Sequence, residues 1–194
     1  MPAKELKEYS DEELILDFQI NDNKKAFELL VQRYKNPLTN YVFRFLGDYE
    51  ACVDVVQETM IRVFKNKDSY KSIAKFSTWI YTIAGNLART ELQRRKKTVF
   101  STGRNSEEEI TLEIPDNRYR PDKILENSFK EKAIQEALLK ISETYRKMVV
   151  LRDIQELSYE EISEISGLPV GTVKSRINRG RAQLQRLLKN IYKE

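Results

Sequence analysis

An all-α protein, two small helical domains joined by a flexible acidic linker, is the fold this sequence predicts. Three observations predict it. Glycine and proline are scarce, six and five in 194 residues, while a third of the residues are charged, a composition suited to amphipathic helices. Apolar residues recur at three- and four-residue spacing along 10–97 and again along 126–190, the period of helices with one buried face. Between them, over residues 98–125, that period fails. The expected organisation is a first domain at 1–97, a linker at 98–125 and a second domain at 126–194.

The first domain reads as four helices. Ser10 and Glu13 have capping-box spacing and open a helix with Leu14, Ile15 and Phe18 inward; the NDN at 21–23 breaks it. A longer helix carries Ala26, Phe27, Leu30, Val31 and Tyr34 on one stripe. Pro37 is expected to kink or restart it, and Leu38, Tyr41, Val42 and Phe45 continue it to Gly47. The third helix runs from about Tyr49 to Asn66, with Val53, Val56, Met60, Val63 and Phe64 as the expected buried stripe. The fourth runs from about Phe76 to Lys97, with Phe76, Trp79, Ile80, Ile83 and Leu87 inward. Four such helices close one core.

The next segment, STGRNSEEEITLEIPDNRYRPDK, holds two prolines, Pro115 and Pro121, and three consecutive glutamates, Glu107 to Glu109. It reads as a net-negative linker. Beyond it, Phe129, Ala133, Ala137 and Ile141 give one helix, and Tyr145, Val149, Val150 and Ile154 another. Ser158 and Glu161 form a second capping box, ahead of Ile162 and Ile165. Gly167 fits the left-handed position after a helix, and Pro169 presets the start of the next. In that last helix Val173, Ile177, Gly180, Leu184 and Leu187 share one side. Two helices joined by such a tight turn have the shape of a helix-turn-helix.

Rotation by about 100° per residue from Val173 shows what faces away. Gly171, Ser175, Asn178, Arg179 and Ala182 form the centre of the far side, with Thr172, Lys174, Arg176 and Arg181 on its flanks. Small or hydrogen-bonding residues in the centre suit base edges, and cations on the rim suit phosphates. From Pro169 to Glu194 there are seven Lys or Arg against one acidic residue, so the modest net charge of +4 is concentrated here.

The first domain has two polar faces. Asp54, Glu58 and Arg62 make an i, i+4 row beside Gln57, which spacing alone reads as a solvated, salt-bridged face. The helix from Phe76 carries Thr82, Asn86, Arg89, Thr90, Gln93 and Lys97 on one side, followed by the basic run Arg94 to Lys97. Gly85 beside Asn86 is expected to permit close approach of a ligand. Ahead of it, NKDSYKSIAKF (66–76) interleaves lysines with aromatics. Cations, amide donors and aromatic surface are what unpaired DNA requires. Trp79 reads as core, whereas for Tyr70, Lys71 and Asn86 structural and DNA-binding roles stand level on spacing.

Other chemistry is disfavoured. The chain has no histidine and one cysteine, Cys52, so His-based catalysis, His-ligated metals and disulfides have no basis. It has no phosphate-cradling glycine loop and no compact carboxylate cluster. The expectation is no enzyme, no metal and no cofactor. No apolar run approaches the roughly 18 residues needed to cross a bilayer, and the first residues lack the apolar stretch of a signal peptide. A cytoplasmic protein without membrane insertion is expected.

Taken in order, Asp54-Val-Val-Gln57-Glu58 with Arg62-Val-Phe64, Phe76-Ser-Thr-Trp79-Ile-Tyr-Thr-Ile83-Ala-Gly-Asn86, Arg94-Arg95-Lys-Lys, and Leu157-Ser-Tyr-Glu-Glu-Ile with Gly171-Thr-Val-Lys-Ser-Arg176 resemble the extracytoplasmic-function sigma factors. These are small bacterial RNA polymerase subunits built from sigma regions 2 and 4. The resemblance implies core RNA polymerase as partner, through its β′ clamp and β flap, with Asp54, Gln57, Glu58 and Arg62 on the clamp-docking face. It implies that Tyr70, Lys71 and Asn86 capture a flipped base of the −10 promoter element, with Arg89, Gln93 and Arg94 on the adjoining duplex. It implies that Thr172, Lys174, Ser175, Arg176, Asn178, Arg179 and Arg181 meet the −35 element. It further implies a linker threading toward the RNA exit path, and an anti-sigma protein as a second partner. Gly85 and Asn178 depart from the family's commoner choices. The alternative is a stand-alone helix-turn-helix regulator with 1–97 as a sensing or dimerising domain.

Overall fold

The structure, a computed structural model, describes residues 5–102 and 121–191, with side chains described for 5–97 and 130–189. After a 3-10 turn at Leu6–Glu8, α1 spans Asp11–Asn21, α2 Lys24–Leu46, α3 Tyr49–Lys65 and α4 Phe76–Thr102. Then α5 spans Pro121–Lys140, α6 Glu143–Val149, α7 Tyr159–Ser166 and α8 Val170–Ile191, with one wider π turn at Val150–Ile154. No described helix is long and apolar enough to cross a membrane.

Local chemistry sets the helix ends. The Ser10 hydroxyl accepts from the Glu13 N–H at 3.1 Å and the Glu13 carboxylate accepts from the Ser10 N–H at 2.6 Å, so the first capping box closes. Gly47 ends α2 at φ +75°, its N–H returning to Phe43 O at 2.8 Å, a conformation that favours glycine. Pro37 does not restart α2, which continues through it. Pro37 is exposed, and Tyr34 and Leu38 on either side are buried, so packing holds the helix across the missing N–H.

The first lobe is α1–α4. Leu14, Ile15, Phe18, Leu30, Leu38, Tyr41, Phe76 and Ile80 are fully buried in it. The α3 stripe holds at the buried Val56 and Val63 and at the half-buried Met60. It departs from expectation at Val53 and in part at Phe64, whose ring still packs 5.3 Å from those of Phe18 and Phe27. Ala51, Cys52, Val55, Val56, Thr59 and Val63 are buried, while Val53 and Phe64 are 44% and 42% exposed. Small side chains let α3 lie close to α2, and the Thr59 hydroxyl satisfies itself on Val55 O at 2.7 Å. That leaves a second apolar edge turned to solvent.

The expected linker is shorter at both ends: α4 runs on to Thr102, and Pro121 opens α5 rather than interrupting a loop, a position where its missing N–H is harmless. Residues 103–120, with the three glutamates and Pro115, lie outside the described residues, and so does the side chain of Phe129. The second lobe is α5–α8. It does not stand apart from the first: α5 and α6 pack on α2, and α7 packs on α4. Gln135 is buried and donates to Phe43 O at 3.1 Å. Arg146, 7% exposed, donates to Phe45 O at 2.6 Å.

Candidate nucleic-acid interface

In the second lobe the turn between α7 and α8 forms as its residues require. The Ser158 and Glu161 box closes at 3.1 and 2.8 Å. Gly167 turns the chain at φ +68°, and the Ser163 hydroxyl ties down Leu168 O at 2.5 Å. The Pro169 carbonyl accepts the first N–H groups of α8 from Thr172 and Val173, at 2.8 and 3.0 Å. Val173 and Ile177 are fully buried beneath the helix. Gly180 lets α8 lie directly on α6: a Cβ there would sit 2.6 Å from Val149 Cγ2 and 3.3 Å from the Tyr145 carbonyl oxygen.

With that side locked, the opposite side faces water. Lys174, Ser175, Asn178, Arg179 and Arg181 are exposed, and Thr172 and Arg176 are half-buried. Lys174 lies 5.2 Å from the ring centre of Tyr159, which Arg152 also covers at 4.9 Å. Arg181 differs from the others because both guanidinium arms grip Asp153, the Nε arm at 3.0 Å. Its charge is therefore partly answered within the chain by a pairing that helical spacing does not show.

In the first lobe the loop before α4 is clamped at its base. Gln19 donates to Lys67 O at 2.5 Å and to Tyr70 O at 3.0 Å. Lys67 in turn donates to Phe18 O at 2.9 Å and to Asp22 at 2.7 Å. Tyr70 is 4% exposed. Its ring packs on Phe76 and Trp79, with centroids 5.8 and 5.4 Å away, and its hydroxyl donates to Ala74 O at 2.8 Å. It holds the loop from inside and has no open ring face for a base, which corrects the expectation that Tyr70 captures a flipped base and favours its structural role. Lys71 and Ile73 stand at the tip, Ile73 at 91% exposure. Sequence reasoning passed over Ile73, since a lone aliphatic in a loop carries no period.

Asn86, Arg89, Gln93 and Arg94 line the exposed side of α4. Gly85 serves packing rather than ligand approach, because a Cβ there would lie 2.8 Å from the buried Tyr41 hydroxyl. Arg89 and Lys96 lie 3.8 and 3.7 Å from Glu143 of α6. Glu91 accepts both arms of Arg94, at 2.8 Å each, and Arg95 Nε at 2.8 Å. Those bonds, Arg94's first, hold the Glu91 carboxyl at about 2, below its ordinary 4.5. A depressed acid adds stability that is complete above the unfolded value and lost as pH falls through the folded one. Glu91→Gln is expected to flatten the fall of thermal midpoint between pH about 4.5 and about 2 relative to wild type. Parallel curves would mean that these pairs add nothing to folding.

On α3, Asp54, Gln57 and Arg62 are exposed and Glu58 is half-buried. Arg62 Nε donates to Glu58 at 2.8 Å. Beside them run the exposed Val53, Ile61 and Phe64, so the face mixes acids with apolar surface. Among the described residues no His, Cys, Asp or Glu cluster has metal-binding spacing. Burial pushes the Cys52 thiol up to about 12, away from thiolate chemistry.

Known proteins share this arrangement. Residues 30–98 match the family model for Sigma-70 region 2, and residues 131–184 match that for Sigma-70 region 4. The chain is 34% identical to the ECF RNA polymerase sigma factor SigW of Bacillus subtilis, over 92% of this chain and all of that protein. It is 30% identical to the RNA polymerase sigma-H factor of Pseudomonas aeruginosa, over 97% and 99% of the two chains. Among solved structures, the sigma factor RpoE bound to the anti-sigma factor NepR from Bartonella quintana is similar. The TM-score is 0.71 and the identity 25%, over 85% of this chain and 98% of that one. CnrH in complex with the cytosolic domain of CnrY is also similar, with a TM-score of 0.69 and 25% identity over 93% and 97%. A stand-alone regulator does not account for the match of the first lobe to Sigma-70 region 2. Both lobes thus carry sigma-region matches in sigma order, and the likeness to SigW spans nearly the whole chain: the protein belongs to the extracytoplasmic-function family of RNA polymerase sigma factors.

Proposed function

We propose that the chain is the promoter-specificity subunit of a bacterial RNA polymerase, with no catalysis of its own, working in the cytoplasm. The α3 face at Asp54, Gln57, Glu58 and Arg62 docks on the β′ clamp, and the second lobe reaches the β flap. The loop tip at Lys71 and Ile73, with Asn86 on α4, holds the opened −10 element. Ile73 acts as an apolar wedge at the opened step, while Arg89, Gln93 and Arg94 lie along the duplex beside it. Ser175, Asn178 and Arg179 read −35 base edges, with Thr172, Lys174 and Arg176 on the flanking phosphates. The regulatory partner is an anti-sigma protein, as in the complex of RpoE with NepR.

The observation that carries this reading is the exposed Ser175, Asn178 and Arg179 group on a helix whose other side is locked by Val173, Ile177 and Gly180. Run-off transcription with purified core polymerase on a promoter library tests it. Promoter-selective transcripts that require the chain are expected, and a chain that forms no stoichiometric complex with core polymerase ends the proposal. Glu58→Lys reverses a charge on the docking face and loses the Arg62 pair. It is expected to weaken core-polymerase binding about tenfold, or about 1.4 kcal/mol, with helix content unchanged. Wild-type affinity in that variant would move the docking face elsewhere.

A further inference from the structure

Helix α1 carries none of the residues assigned to polymerase or to DNA. Its apolar side enters the core of the first lobe through Leu14, Ile15 and Phe18, all fully buried. Its polar side does something the core does not require. It reaches both ends of the loop at 66–75.

At the start of the loop, Gln19 donates to two carbonyls, Lys67 O at 2.5 Å and Tyr70 O at 3.0 Å. A side-chain amide has two N–H donors, and here both are used on one turn of the loop. Lys67 answers in the opposite direction. Its ammonium donates to Phe18 O at 2.9 Å and to Asp22 at 2.7 Å, and lies 4.4 Å from the centre of the Phe18 ring. Phe18 O is among the last four carbonyls of α1, which have no partner in their own helix and favour a cation. At the far end of the loop, Glu12 in the first turn of α1 accepts the Phe76 N–H at 3.0 Å. Phe76 opens α4, where the first N–H groups likewise lack a partner in their own helix. Glu12 and Gln19 are seven residues apart, about 10 Å along a helix axis. One rigid helix thus sets the gap between the two ends of the loop.

The helix itself is fixed in place. Asp17 accepts from Asn21 at 2.7 Å and Asn23 at 2.6 Å, which ties down the turn into α2. Asp11 accepts from Arg33 at 2.7 Å and from the Tyr34 hydroxyl at 2.6 Å.

We propose that α1 is a positioning element for the −10 loop, with Gln19 holding its entry and Glu12 its exit, so that Lys71 and Ile73 at the tip and Asn86 on α4 meet the opened strand in one geometry. Gln19 and Glu12 touch no DNA in this arrangement. They act through the Lys67 and Tyr70 carbonyls and through the N-terminus of α4. Their effect falls on the choice of base rather than on grip. A lysine on a phosphate tolerates a loose loop and carries no sequence information, whereas a site that selects one base must be held within about 0.5 Å. Loosening the loop therefore removes discrimination first. The DNA part of this inference rests on the sigma-factor reading; the tie between α1 and the loop does not.

Three variants test it. Gln19→Leu removes both donors at similar size. Glu12→Ala removes the acceptor for Phe76, and Glu12→Gln keeps an oxygen there as the conservative control. Backbone hydrogen exchange of the full chain reads the loop. Binding of holoenzyme to forked DNA, with the unpaired −10 strand cognate or base-substituted, reads the choice. Gln19→Leu and Glu12→Ala are expected to exchange severalfold faster over 68–76 and to lose about tenfold in −10 base discrimination. Their −35 preference and core-polymerase affinity are expected to stay at wild-type values, and Glu12→Gln is expected to match wild type throughout. The proposal is overturned if Gln19→Leu and Glu12→Ala discriminate as wild type does. It is equally overturned if their loss extends in the same measure to −35 preference and polymerase affinity, since that marks a general loss of fold, or if Glu12→Gln is as impaired as Glu12→Ala. A failure of the sigma-factor reading looks different: the wild type itself shows no base preference on forked DNA or no affinity for core polymerase, while exchange still separates the variants.

Discussion

Phe76→Ala is expected to lower the stability of the first lobe by about 3–5 kcal/mol and to release the loop at 66–75 with it. Phe76 is fully buried. Its ring lies 5.3 Å from Tyr34, 5.8 Å from Tyr70 and 6.0 Å from Trp79, all edge-on. Such aromatic pairs are worth about 0.5–1.5 kcal/mol each beyond their buried area, and the alanine leaves a cavity these stiff rings cannot refill. Net stability of a domain is about 5–15 kcal/mol, so the loss takes a large share of it. Function follows the same contacts. Tyr70 leans on Phe76, and the Tyr70 carbonyl and hydroxyl anchor the loop that presents Lys71 and Ile73. Urea unfolding followed by circular dichroism measures the loss; a change below about 1 kcal/mol would mean that this cluster is not the keystone of the lobe.

Legibility in the sequence tracks how local the cause is. Both capping boxes, the Gly47 and Gly167 stops and the orientation of α8 were readable, because each depends on residues within one or two helical turns. The α8 orientation was clear because only one of its sides is apolar. On α3 the same reasoning held for Val56 and Val63 but not for Val53, which with Ile61 and Phe64 makes a second, partly exposed apolar edge, and periodicity alone cannot tell which of two apolar edges meets the core. Tyr70 looked like a DNA-facing aromatic among lysines, and nothing nearby in sequence announces Phe76 and Trp79 as its wall. Gly85 looked like room for a ligand, but its constraint is the hydroxyl of Tyr41 on another helix. The packing of the lobes on one another was invisible for the same reason. Gln135 and Arg146 are ordinary surface residues by type, and only tertiary structure brings the carbonyls of α2 over them.

For Arg179→Ala, the expected loss is about 1–3 kcal/mol in discrimination between the cognate −35 element and a mismatched one, roughly 5- to 150-fold, with core-polymerase binding intact. Arg179 is exposed on α8 next to Asn178 and one turn from Ser175, so it sits in the central group rather than on the rim. A bidentate contact from a guanidinium to a guanine edge is the commonest specific contact in the major groove. The comparison that isolates this role is Arg181→Ala. Arg181 is exposed as well, but its guanidinium is occupied by Asp153, so removing it also frees an acidic group near the DNA. It is expected to weaken binding about equally for all sequences, as loss of rim charge does, and to leave the preference among them unchanged. Competition binding of holoenzyme to −35 variants separates the two. If Arg179→Ala shifted every sequence equally while Arg181→Ala changed the preferred base, the reading face of α8 would be rotated toward Asp153, and Ser175 and Asn178 would lose their roles with it.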